Sequence, residues 1–300
     1  VANLPEAVGL IGIGQVGLPM ATNLIKSGVR VVGYRRSDTQ AFVEAGGVLA
    51  SSPVQVVEQT DVVLLCLPNE PAASQILEGE GGILNSLSAS KTLIETGTYS
   101  KDFKLSQAQK VQGKGARYLE AEISGSPPMI AARKASFYVG GDESLFRECE
   151  PLLRAITDQC FYLGPLGSAV SMKLIANYLL AIHTLSAAEA MNMGKRAGFD
   201  PHLVAKVIQA GAGASAMFGV RAPLMADRRF DPAPGPFVTL EKYLDLGQKM
   251  ADDLGCATPL FSAAVPYFKR AFDEGVQHED IAAVLKFLEA DSRDQKVGGK

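Results

Sequence analysis

Tryptophan is absent from the 300 residues, and cysteine and histidine are scarce at four and three copies. Cys66, Cys149, Cys160 and Cys256 lie far apart with no CxxC pair. Neither a disulfide framework nor a structural zinc site is therefore expected, and the thiols fit a reducing, cytoplasmic setting. His183, His202 and His278 lack a spacing that would bring two imidazoles onto one metal. HExxH, GxSxG and acidic metal clusters are also missing, so no metal is expected. An excess of either charge is lacking too. The 29 Lys and Arg nearly balance the 32 Asp and Glu, and no basic run stands out, which argues against a nucleic-acid partner or an acidic membrane surface. No basic stretch followed by an apolar core marks a signal peptide. The most apolar long stretch, 167–193, carries Lys173, Asn177, His183 and Glu189. A bilayer tolerates these poorly, so no membrane partner is expected.

What is present is apolar: 47% of the residues, against 20% charged. That is enough for a sizeable core, and the length fits two domains. β-rich runs at 8–13, 29–34, 61–67, 92–95, 118–123 and 136–139 alternate with helical segments such as 19–27 and 39–45. This rhythm predicts a largely parallel sheet with helices on both faces. Strand signals stop at the breaker cluster LGPLG, 163–167. Beyond it, 168–196 reads as one long helix stopped by Gly198. Its apolar residues cover too much of the circumference for one stripe, which predicts burial between domains or subunits. Further helices are expected at 201–210, 238–254, 259–274 and 278–290, with Pro232, Pro234 and Pro236 stiffening a connector. The polar tail, 292–300, is expected to fray.

Gly12-Ile13-Gly14-Gln15-Val16-Gly17 is GxGxxG placed after a strand and before a helix. The first glycine permits the tight turn, the second lets the backbone approach a pyrophosphate, and the third lets helix and strand pack closely. Amide N–H groups at the helix start, including those near Gln15 and Val16, then bind the anion. The end of the second strand selects the cofactor. NAD-selective sites place an acid there, about 20 residues past the glycines. This chain has Tyr34-Arg35-Arg36-Ser37. Two guanidiniums and a hydroxyl suit a 2′-phosphate, so NADP is expected with NAD possible. Asp38 is placed to cap the next helix. The reading is an α/β protein: a Rossmann-type, doubly wound parallel sheet over residues 1–163 and an all-α domain over 164–300, with the active site expected between them.

Four segments together resemble the β-hydroxyacid dehydrogenase family, which includes 3-hydroxyisobutyrate dehydrogenases and glyoxylate/succinic semialdehyde reductases. They are GLIGIGQVGLPMATNL at 9–24, LEAEISGS at 119–126 with VGGD at 139–142, GPLGSAVSMKLIAN at 164–177, and FVTLEKYLDL at 237–246. The resemblance implies hydride transfer between a nicotinamide and a small 3-hydroxy acid or semialdehyde, in a homodimer or homotetramer. It places the catalytic lysine at Lys173 and its helper at Asn177. Residues i and i+4 do share a helix face, and a lysine whose burial draws its pKa toward neutrality can both give and take the substrate proton. Ser124 and Gly125 match the substrate-carboxylate motif, and Ser126 adds a donor. Leu67, Pro68 and Thr98 match cofactor segments, and Lys242 matches a lysine near cofactor and substrate. Departures are also visible. Glu122 stands where a proline is usual, Gly97 where a serine is usual, and Ala176 where an asparagine is usual. Pro127-Pro128-Met129 replaces a glycine-rich loop. Tyr243 replaces an aspartate, as a core ring or a pocket wall. The alternatives are an imine or other carbonyl reductase of the same superfamily, and a non-catalytic NADP-binding scaffold. Retention of Lys173 argues against both.

Overall fold

The structure, a computed structural model, describes residues 4–297, with side chains to residue 292. The chain divides into two compact units, one ending at Lys173 and the other starting at Leu174. The division therefore falls inside the long helix, ten residues past the expected boundary at 163.

In the first unit, eight strands form one sheet in the order β3-β2-β1-β4-β5-β6-β7-β8. In chain order the elements are β1 (Ala7–Ile11), α1 (Gly17–Lys26), β2 (Arg30–Tyr34), α2 (Gln40–Glu44), β3 (Val48–Leu49), α3 (Pro53–Gln59), β4 (Val62–Leu65) and α4 (Glu70–Glu78). They continue with β5 (Thr92–Glu95), α5 (Lys101–Gly113), β6 (Arg117–Ser124), α6 (Pro127–Ala131), β7 (Ser136–Gly140), α7 (Glu143–Ile156) and β8 (Gln159–Tyr162). The inner strands β1 and β4 are continuous apolar runs because both faces are covered. Val8, Leu10, Leu64 and Ile94 share one core with Met20, Ala21 and Leu24 of α1. Ile11, Val63, Leu65 and Leu93 point the other way, into a core with Val56 and Val57 of α3. All pairs are parallel except β6–β7. The connection 125–135 holds only α6, too little chain for the crossover a parallel neighbour needs. Strand order reverses beside β1, between β2 and β4, so their carboxyl ends open the crevice where such sheets bind ligands.

The long helix α8 (Ser168–Arg196) has the bounds its pattern predicts. A buried carboxylate holds its start: Glu120 accepts the N–H groups of Gly167 and Val170, each at 2.7 Å. These charge-assisted bonds satisfy amides that a helix leaves without intrahelical partners. By length and composition α8 is apolar enough to cross a bilayer. In the second unit, however, Ala181, Leu185, Ala188 and Met191 are core residues. Met172, Ile175 and Leu179 of α8 are exposed in the single chain.

The second unit continues with α9 (Pro201–Gln209), α10 (Ala216–Ala226), α11 (Phe237–Asp253), α12 (Pro259–Asp273) and α13 (Val284–Val297). The last helix starts later than the predicted 278, after a 3-10 turn at Ile281–Ala283 whose cap is Asp280. Buried Asp280 pairs with Arg221 and accepts the Gly235 N–H at 2.9 Å, pinning the connector before α11. The predicted polar tail is helical as far as Val297, and 298–300 lie outside the described residues.

Candidate active site

The glycine motif sits at the carboxyl end of β1. Gly12 adopts φ +102°, and a Cβ there would lie 2.1 Å from the Cys66 carbonyl oxygen. A Cβ on Gly17 would lie 2.0 Å from the Gly12 carbonyl oxygen, so neither position admits a side chain. Gly14 faces open space instead, which leaves the backbone accessible to a phosphate. No side chain caps the start of α1 at Val16, and its first turn has no acid. The amides there suit an anion. Arg35, Arg36 and Ser37 lie exposed just past β2, whose last residue pairs with Ile11. Arg35 donates to the Asp38 carbonyl at 3.1 Å, and Asp38 accepts the Gln40 N–H at 3.3 Å in the first turn of α2.

Register places the remaining segments along the same edge. Ile11 pairs with Leu65, Leu65 with Glu95, and Glu95 with Glu120. The ends of β4 and β5 therefore bring Leu67, Pro68 and Thr98 to the crevice, while β6 runs four residues further, to Ser124. Tyr99 ties two of these loops together, its hydroxyl donating to the Leu67 carbonyl at 3.1 Å. Beyond β6, Gly125 has φ +152°, and a Cβ would meet that of Ala135 at 2.8 Å. Ser126 is the N-cap position of α6, and Pro127 follows at its first turn. Asn23 of α1 donates to the Ile130 carbonyl at 2.7 Å and the Ile156 carbonyl at 2.9 Å, locking α6 against the glycine-motif helix.

Lys173 is buried, and its ammonium donates to the Ile123 carbonyl oxygen at 2.9 Å. The amine is thereby fixed one residue before Ser124. Lys173, expected in the helical domain, is the last residue of the first compact unit. Asn177 lies one turn further along α8 in the second unit; its side chain is buried and its Nδ2 has no hydrogen-bond partner. Lys242 lies on α11 in that unit, with its ammonium 5.2 Å from the Tyr243 ring centre. Tyr243 packs against the helical core, the core-ring alternative of the two.

Beneath the crevice lies a buried cluster that sequence reasoning did not assemble: Lys104 with Glu95, Glu120 and Glu122. Lys104 forms an ion pair with Glu122 and lies 3.7 Å from Glu120. Burial pushes the Glu95 carboxyl up to about 7, against the pull of Lys104 and the Gly97 N–H. Burial raises Glu122 as well, again opposed by Lys104. Burial opposes the charge of Lys104, but the surrounding carboxylates outweigh it and its pKa rises. The sequence hints at it only through Glu120 and Glu122, two residues apart in a strand segment. Lys104 shares the buried face of α5 with Gln107, Ala108 and Val111, opposite carboxylates two residues apart on an otherwise apolar strand.

Residues 7–164 match the NAD-binding domain of 6-phosphogluconate dehydrogenase. Residues 167–288 match the NAD-binding domain of NADP-dependent 3-hydroxyisobutyrate dehydrogenase. Rat mitochondrial 3-hydroxyisobutyrate dehydrogenase is 31% identical over 94% of this chain and 86% of its own length. The chain belongs to the β-hydroxyacid dehydrogenase family. As a member it is an NAD(P)-dependent hydroxyacid dehydrogenase. The chloroplastic glyoxylate/succinic semialdehyde reductase 2 of Arabidopsis thaliana is 28% identical over 95% of this chain and 80% of its own. The fold matches a 3-hydroxyisobutyrate dehydrogenase structure from Salmonella typhimurium, with a TM-score of 0.85 at 24% identity over 94% of this chain and all of that one.

Two departures from the β-hydroxyacid dehydrogenase pattern have local physical causes. At Gly97 a serine would displace Tyr99, since its Cβ would lie 2.2 Å from the Tyr99 hydroxyl. At Glu122 the usual proline could neither pair with Lys104 nor accept the Thr98 hydroxyl, as the carboxylate does.

Proposed function

We propose that the chain is an NADP-dependent enzyme interconverting a small 3-hydroxy acid and its semialdehyde, with Lys173 as general acid and base. The observation that carries this is the bond from the Lys173 ammonium to the Ile123 carbonyl at 2.9 Å, which puts a proton donor beside the Ser124–Ser126 turn. In this reading the Ser124 hydroxyl and the Gly125 and Ser126 amides hold the substrate carboxylate. The open backbone at Gly14 and the uncapped amides near Gln15, Val16 and Gly17 fit a pyrophosphate. Arg35, Arg36 and Ser37 hold the 2′-phosphate, and Leu67, Pro68, Thr98 and Lys242 complete the cofactor contacts. The nicotinamide cofactor supplies or accepts the hydride. In reduction Lys173 gives a proton to the substrate oxygen; in oxidation it takes the hydroxyl proton back. The Asn177 amide, buried with an unsatisfied Nδ2, orients that oxygen or the lysine. NADP use favours the reductive direction.

The proton-transfer role favours this reading over an imine reductase or a non-catalytic scaffold, neither of which calls for the lysine. Exposed Met172, Ile175 and Leu179 on α8 favour a homodimer or homotetramer, and the scattered cysteines a cytoplasmic protein. The test is Lys173→Ala. Loss of the proton donor lowers kcat by about 10²–10⁴ while NADPH binding is retained. Turnover near wild type in that variant would remove Lys173 from the mechanism.

A further inference from the structure

The buried charges under the sheet edge are divided among the loops above them. Glu95 accepts the Gly97 N–H at 2.7 Å, Glu120 accepts the first amides of α8, and Glu122 accepts the Thr98 hydroxyl. Lys104 sits among the three, paired with Glu122 and 5.6 Å from the Tyr99 ring centre. Gly97 gives Tyr99 its space, and Tyr99 ties the 96–99 loop to Leu67. Gly97, Tyr99, Lys104 and Glu122 thus lie in one chain of contacts around the segment that carries Thr98.

We propose that Glu122, charge-compensated by Lys104, is a positioning residue for the cofactor: it takes the single hydrogen of the Thr98 hydroxyl and so presents that oxygen to the bound cofactor as an acceptor only. An ionised carboxylate has no hydrogen to give, so in a bond between Glu122 and Thr98 the hydroxyl must be the donor. Its oxygen can then meet a further group only through a lone pair. The cofactor group that fits is an N–H or O–H, such as the carboxamide or a ribose hydroxyl of the nicotinamide half. A neutral partner at 122 would let the Thr98 hydroxyl rotate and offer its hydrogen instead. The ion pair with Lys104 works against this, favouring the charged carboxylate where burial alone favours the neutral one. The inference rests on the reading of Thr98 as a cofactor contact.

The experiment is a fluorescence titration of NADPH, with NADH alongside, into wild type, Glu122→Gln, Thr98→Val and the double variant. Each single change is expected to weaken NADPH about tenfold, and the double variant is expected to be no weaker than Thr98→Val alone, since coupled residues are non-additive. If Glu122→Gln does not fold, Lys104→Met with Glu122→Met removes both charges together and is compared with and without Thr98→Val in the same way. Weakening that persists in full in the Thr98→Val background overturns the inference, because Glu122 then acts elsewhere. So does a Glu122→Gln variant that binds as wild type does. Wild type that binds neither NADPH nor NADH overturns the cofactor reading itself, and this inference with it.

Discussion

Arg35 and Arg36 are exposed side chains just past β2, so the contacts proposed for them with a 2′-phosphate would compete with water and salt. A hydrogen bond to a charged partner contributes about 1.5–3 kcal/mol when well placed, and exposure draws that toward the lower end. The double variant Arg35→Ala/Arg36→Ala should weaken NADPH at least about tenfold and leave NADH nearly unchanged. Calorimetric titration of both cofactors checks this; equal weakening would mean that the arginines do not read the phosphate. Gly125 admits a sharper test of the substrate turn. With φ +152° and Ala135 at 2.8 Å from a built Cβ, Gly125→Ala must shift the turn. Its KM for the acid substrate should rise while its Kd for NADPH holds, as steady-state kinetics and titration will show.

At the scale of the element, α8 is the piece on which the proposed mechanism depends, because it carries both Lys173 and Asn177, and Glu120 accepts the first amides at its start. Glu120→Gln leaves one acceptor oxygen for two buried amides, and an unsatisfied buried donor costs about 1–3 kcal/mol. The midpoint of thermal unfolding should fall, and turnover should fall with it; an unchanged midpoint would mean that Glu120 is not the anchor. The helix itself was legible from its breakers, LGPLG before and Gly198 after, and from an unbroken apolar pattern. The inner strands were legible because burial on both faces leaves continuous apolar runs. What escaped was short, exposed or interrupted. β3 is two exposed residues, Val48 and Leu49. β8 is a four-residue edge strand with no buried residue, and α10 contains Gly219 and Pro223. The glycine motif was legible because local spacing defines it, whereas Lys173 was singled out through the family resemblance of the segment 164–177. The cluster around Lys104 was not legible, because it is assembled by register between β5 and β6 and by packing of α5, which no local window contains.

Over the whole molecule, the first unit buries three carboxylates around one ammonium, and this imbalance sets a pH dependence. Glu95 titrates at about 7 in the fold against an ordinary 4.5, and Glu122 is raised as well, both chiefly through burial. Between those values the folded chain holds more protons than the unfolded chain, so this contribution to stability falls as pH rises from about 4.5 to about 7 and is level above. Glu95→Gln should flatten that slope in urea unfolding followed at pH 5, 6, 7 and 8; an unaltered slope would place the proton elsewhere. The central functional claim is met most directly by the initial rate of cofactor oxidation. NADPH and NADH would be compared against glyoxylate, succinic semialdehyde, methylmalonate semialdehyde and tartronate semialdehyde. Turnover of at least one of these acids with NADPH well above NADH is the expected result. NADH preference, or silence with every one of these carbonyls despite tight NADPH binding, would contradict it.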